Sequence, residues 1–193
     1  MSEASRKVMT PPVGVDLPTE QRRILRGSAW SALLCGVVGA GACWLLPQFF
    51  KPPENLGERI AFAIQADVFV LLLLLVAVRM VSSGRYRSAA DNRGSAFSAP
   101  SPELAVKVAF LQNTLEQSVL AVGAHLTLAT LVSGASLFFI PAAVVLFGVG
   151  RLAFWRGYPK GAGARSFGMA TTVLPTVIAF AWSIYLIGRN VLD

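Results

Sequence analysis

The stretch FLQNTLEQSVLAVGAHLTLATL, residues 110–131, sets Gln112, Asn113, Glu116 and Gln117 in the first turns of an otherwise apolar run. On a helix Asn113, Glu116 and Gln117 stand at i, i+3 and i+4, so they project from one face within about a single turn. That face offers one carboxylate and two amides. In lipid such groups are costly unless they face a bundle interior or a wet cavity with a cationic or hydrogen-bonding partner. Glu116 therefore predicts an arginine nearby. The candidates are Arg79 at the end of one apolar run, Arg151 in the last two turns of another, and Arg165 at the start of a third.

Two readings of this polar spot stand open on the residues alone. Asn113 and Gln117 are interhelical glue, worth about 1 kcal/mol each, with Arg79 and Arg151 as snorkelling border residues; or the group lines a binding pocket. His125, deeper on the same run and off the Asn113/Glu116 face, reads as a packed or helix-bonded histidine. Asp67 with Gln65 makes a second buried polar spot. Cys35 and Cys43 have neither metal-ligand spacing nor a redox-pair motif, so no metal site is expected.

The elements that must position these residues follow from composition. With 54% hydrophobic and 14% charged residues in 193 and a mean hydropathy of +0.60, the chain is too apolar for an ordinary soluble domain. A bilayer span needs about 20 largely apolar residues as a helix, since every backbone polar group must be satisfied within the segment. Five such runs occur: 28–50, 59–81, about 104–132, 135–157 and 167–188. The first continues too far past its small-residue patch GAGAC for a signal peptide, and Ala32, Gly36 and Ala40 within it form a small-residue face for close helix approach. Only Ser133 and Gly134 separate the third run from the fourth, which predicts a tight antiparallel hairpin. The connection 82–102, rich in Ser, Gly and Ala, reads as a mobile surface loop. The expected fold is an all-α integral membrane bundle of about five transmembrane helices, with a basic tail over 1–27, one N-terminal helix over 28–50 and a four-helix domain over 59–190.

Fourteen of the seventeen basic residues fall on the tail, the 82–103 connection and the fourth connection or their borders, leaving Lys51, Arg59 and Arg189 for the other side. By the positive-inside rule this predicts a cytoplasmic N-terminus and an outside C-terminus in a bacterial inner membrane. The net charge of +7 is thus a matter of topology and lipid headgroups. The charges lack a nucleic-acid-binding fold signature, and no nucleic-acid partner is expected.

Asn113-x-x-Glu116, followed about 35 residues later by RLAFWRGYPKGAGAR, resembles the MAPEG superfamily, the membrane-associated proteins in eicosanoid and glutathione metabolism. Arg151, Gly157, Tyr158 and Arg165 keep that family's order and spacing, and the resemblance covers roughly residues 59–190. The chain then looks like a divergent, bacterial-type member with an extra N-terminal helix. The resemblance implies a homotrimer that binds glutathione near the cytoplasmic face between subunits. It implies that Asn113 and Glu116 contact the tripeptide, that Arg151, Tyr158 and Arg79 hold its carboxylates, and that Arg165 stabilises the thiolate as the catalytic residue. A transferase or peroxidase acting on lipophilic electrophiles or lipid hydroperoxides is the activity implied. The alternative is a non-catalytic relative that binds lipid or presents it to a partner. The chain departs from the family pattern at Ala109, where an arginine is common, at Gln117, where an aromatic is common, and at Phe154, where a tyrosine is common.

Overall fold

A computed structural model of the protein describes Gly14 and residues 16–94, 96–97 and 99–192. The expected basic tail is described only from Gly14 onward, so Arg6 and Lys7 lie outside the described residues, as does Asp193. Five long helices follow in order: α1 (Leu17–Leu45), α2 (Leu56–Arg87), α3 (Pro102–Leu131), α4 (Phe139–Gly157) and α5 (Ala162–Leu192). Short 3-10 turns cover Leu46–Gln48, Gly134–Phe138 and Tyr158–Lys160, and there is no strand among the described residues. The chain is an integral membrane protein. Four of the helices, α1, α2, α4 and α5, are long and apolar enough to cross a bilayer. The fifth, α3, has 30 residues, about 45 Å of helix at 1.5 Å per residue, but its polar first turns keep it below that apolarity.

Three of the helices outrun their apolar stretches at one end or both. α1 begins at Leu17 with a proline in its first turn, so the last eleven residues of the expected tail are already helical. α2 continues through Ser82 to Arg87, and α5 starts at Ala162, ahead of the apolar run. Hydropathy marks only the lipid-immersed part of a helix, whereas Glu, Gln and Arg are good helix formers that extend it into water. Capping fixes two of the starts. The Asn55 side chain accepts the Glu58 backbone N–H at 2.8 Å, and the Ser101 hydroxyl accepts that of Leu104 at 3.4 Å.

Packing departs from the expected hairpin. α3 packs mainly on α2 and α5 and touches α4 little, while α4 and α5 form the closest pair. The 3-10 turn Gly134–Phe138, entered through Gly134 at φ +63°, separates the two helices, and α4 packs on α5 rather than back along α3. α4 and α5 approach closely because Gly150, Gly157 and Gly168 lie in their seam, where an added Cβ would run into backbone of the facing helix. The connection after α2 is also less free than its composition suggests. Asp91 is buried and accepts the Ser101 backbone N–H at 2.8 Å and the Ser101 hydroxyl at 2.7 Å. These bonds hold the Asp91 carboxyl below the ordinary carboxylate pKa.

α1 lies along α5 and also meets α4. The face it uses is Gly27, Ser31, Cys35 and Gly39, with Ser31, Cys35 and Gly39 buried; the expected Ala32, Gly36 and Ala40 face is exposed. Polar groups on α5 select between these two small-residue stripes. Pro175 inside α5 has no N–H to give the Thr171 carbonyl four residues earlier. That carbonyl accepts instead from Cys35 Sγ, at 3.9 Å, while Thr171 Oγ1 lies 2.9 Å from Ser31 Oγ. At the end of the seam, Glu20 Oε2 accepts the Gly163 backbone N–H at 2.7 Å, one of the donors that α5 cannot satisfy within its own first turn.

Candidate functional site

At the end of the bundle where α1, α3 and α5 begin, these three helices and the end of α4 enclose a groove of about 940 Å³. Asn113, Tyr158 and Arg165 line it, so the structure brings three of the six expected site residues to one cavity. The local chain path explains how. α4 ends in the 3-10 turn Tyr158–Lys160, and Gly161, at φ +101°, turns the chain in a conformation that L side chains rarely adopt. α5 then starts at once, and its first turns carry Arg165 back over Tyr158, with the guanidinium carbon 4.6 Å from the ring centroid. Both side chains are half-buried.

Arg151 does not line the groove; it lies behind it. The residue is 1% exposed, and its guanidinium sits over the rings of Phe154, at 4.8 Å, and Phe147, at 5.7 Å. Nε donates to Thr172 Oγ1 at 3.1 Å, Nη1 donates to Asn113 Oδ1 at 2.7 Å, and Nη2 is 4.0 Å from Met169 Sδ. A guanidinium only donates, so the oxygen of the Asn113 amide must face it. The two N–H donors of that amide are then not used on Arg151, and Asn113 itself lines the groove. Arg151 is in this way a positioning residue for Asn113.

Glu116 and Arg79 are not brought to the groove within one subunit. Glu116 is exposed on α3 and accepts from Gln112 Nε2 at 2.8 Å rather than pairing with an arginine. Arg79 is exposed on α2, where it donates to Ser83 Oγ one turn on. The arginine that Glu116 called for went to Asn113 instead. Gln117 is buried, as an interhelical amide is expected to be. Asp67 and His125 turn out to be partners: His125 Nδ1 and Asp67 Oδ1 are 2.6 Å apart across the α2–α3 seam, and the residues are 1% and 2% exposed.

Sequence reading missed the groove's α1 wall, formed by Ile24, Leu25, Ser28, Ala29 and Ala32. It also missed Thr172 and Met169 around Arg151. Thr172 had no local signal, since a threonine in an apolar helix usually bonds its own backbone, as this one also does to Gly168 O at 2.9 Å. Two departures from the expected motif, Ala109 and Phe154, both face the groove. The small Ala109 side chain leaves open the space in front of Asn113. No group of His, Cys, Asp and Glu side chains able to hold a metal occurs among the described residues.

The model of the MAPEG family matches residues 60–185, and the chain belongs to that family. The match begins in α2 and leaves α1 outside it. No curated protein and no solved structure matches the chain.

Proposed function

We propose that this MAPEG protein is a membrane-embedded, glutathione-dependent transferase or peroxidase that works on lipophilic electrophiles or lipid hydroperoxides. The observation that carries the reading is the groove's mixed character. One end gathers a guanidinium, a phenol and an amide, while the rest of the lining is Ala, Val, Leu, Ile, Met and Phe apart from Ser28 and Ser166. A peptide thiol and an apolar acceptor need such a pairing of surfaces.

When bound, glutathione supplies the sulfur that forms a bond to the electrophilic carbon while the leaving group departs with its electron pair. Arg165 favours the thiolate over the thiol, because a guanidinium close to a titrating sulfur stabilises its charged form. Tyr158, under the Arg165 guanidinium, holds that cation in place and has a hydroxyl for a carboxylate. Asn113, oriented by Arg151, donates to a backbone carbonyl or carboxylate of the tripeptide. Glu116 and Arg79, exposed on one subunit, are the residues that a homotrimer would carry to a neighbouring groove. Glu116 suits the tripeptide's amino group, and Arg79 a carboxylate. The membrane orientation proposed has this end of the bundle in the bacterial cytoplasm, where the tail and the fourth connection carry most of the basic residues.

Ala109 in the groove wall favours the second reading, a lipid-binding member without catalysis, because it removes a cation from the tripeptide's surroundings. Calorimetry with glutathione on the protein in nanodiscs, with its mass measured under native conditions, separates the two. Three chains per particle and saturable glutathione binding are expected. A well-assembled particle that takes up no glutathione would leave the lipid-binding reading.

A further inference from the structure

The helix outside the family match is a wall of the groove, and its placement limits what the groove can take. α1 is held against α5 at three levels: by Glu20 on the Gly163 amide, by Gly27 against Ser166, and by Ser31 and Cys35 on Thr171. With this face fixed, the adjoining one turns Leu25, Ser28, Ala29 and Ala32 toward α5 residues Met169, Ala170, Val173 and Leu174. The groove is therefore polar at the Arg165 level and apolar below it. From Arg165 to Leu174 it descends nine residues of α5, about 13 Å at 1.5 Å per residue, the length of roughly ten extended methylenes. Small side chains at Ala29, Ala32 and Ala170 keep it open along this length.

We propose that α1 is the acceptor-selecting wall of this site, and that the acceptor is a single-chain lipid-like electrophile. Its reactive head lies beside Arg165, and an unbranched tail of about ten carbons runs between α1 and α5 toward Ala32 and Leu174. This deepens the glutathione-dependent reading and rests on it for the word acceptor; the seating of the chain stands independently. Lipid tails surround the helices on all sides, so apolar burial alone cannot select a ligand here. Selection comes from the length of the apolar run that α1 walls off beside α5 and from the polar head position.

The test is photolabelling in nanodiscs with dodecanol carrying a diazirine at its terminal carbon, followed by peptide mapping, with glutathione binding measured on the same samples. Labels are expected to concentrate on Ala32, Val173 and Leu174. Ala32→Phe and Leu174→Phe, bulky groups placed on opposite walls, should each reduce that labelling at least tenfold without altering glutathione binding. Ala32 is exposed within the subunit, so its replacement leaves the seam intact, and the Leu174 variant covers the same space from the other side. Labels spread evenly over outward residues such as Trp30, Leu33 and Leu72, or unchanged labelling in both variants, would overturn the proposal. Concentrated labelling without glutathione binding would uphold the groove as a single-chain lipid site and remove the glutathione-dependent reading instead.

Discussion

Two of the polar clusters at helix seams resolve the same physical problem differently. Asp67 and His125 bond each other across α2 and α3, and neither lines the groove. Arg151, Asn113 and Thr172 also satisfy one another, but Asn113 is half-buried and faces the groove with donors to spare. A buried polar group in a membrane protein signals function only when its partners leave something over for a ligand. The first cluster holds two helices together; the second holds a side chain ready. The sealed pair also leaves Asp67 Oδ2 buried with no protein partner, which makes the seam sensitive to any change in its charge.

This contrast is most exposed to test at the sealed pair. His125→Leu leaves the Asp67 carboxylate buried and unpaired, and removing one member of such a pair costs about 3–5 kcal/mol. Unfolding in mixed detergent micelles should show this loss, and the double variant Asp67→Leu/His125→Leu should recover most of it. Glutathione binding by the folded fraction should be unchanged. If the two losses simply add, Asp67 and His125 are not the unit described here.

The open cluster should respond more mildly in stability and more strongly in binding. Arg151→Gln keeps a hydrogen-bonding end but cannot reach Thr172 and Asn113 together, so about 1–3 kcal/mol of stability should be lost. With its amide no longer fixed, Asn113 should hold glutathione several-fold more weakly. A variant as unstable as this one is expected to be, but with parental glutathione affinity, would show that Arg151 serves the fold alone.

The smallest effect belongs to the connection between α2 and α3. Its Asp91 carboxyl titrates below the ordinary value because Ser101 donates two hydrogen bonds to the ionised form. A depressed pKa contributes stability that is complete above the unfolded carboxylate value of about 3.9 and is lost as pH falls through the folded one. Hydrogen exchange at the Ser101 amide, corrected for its intrinsic rate, should therefore show protection near neutrality that disappears in acid below about pH 4. Asp91→Asn should remove that pH step.

Much of the architecture was legible in the chain. Five apolar runs gave five helices because a span must satisfy its own backbone, and that requirement writes itself into about 20 consecutive residues. The convergence of Asn113, Arg151 and Arg165 on one level followed from alternating helix direction. Partner choice was not legible. Glu116 carries the charge that most demands an arginine, yet Arg151 pairs with neutral Asn113, because Asn113 turns toward α4 while Glu116 is exposed on α3. Asp67 and His125 are 58 residues apart, and no local pattern couples them. The seat of α1 was hidden for a different reason. Two small-residue stripes one position apart look alike in sequence, and the Thr171 hydroxyl with the Thr171 carbonyl released by Pro175 favours the Ser31 and Cys35 stripe.

The central claim is that the groove holds a thiolate beside Arg165, and the most direct measurement is a pH titration of bound glutathione by its ultraviolet thiolate absorbance. The parent protein, Arg165→Gln and Glu116→Gln would be compared at saturation in nanodiscs. The account predicts a bound thiol pKa below that of free glutathione in the parent, a rise of at least about one unit in Arg165→Gln, equivalent to about 1.4 kcal/mol, and weaker binding with an unchanged pKa in Glu116→Gln. The same pKa in the parent and in Arg165→Gln, with glutathione bound to both, would contradict it.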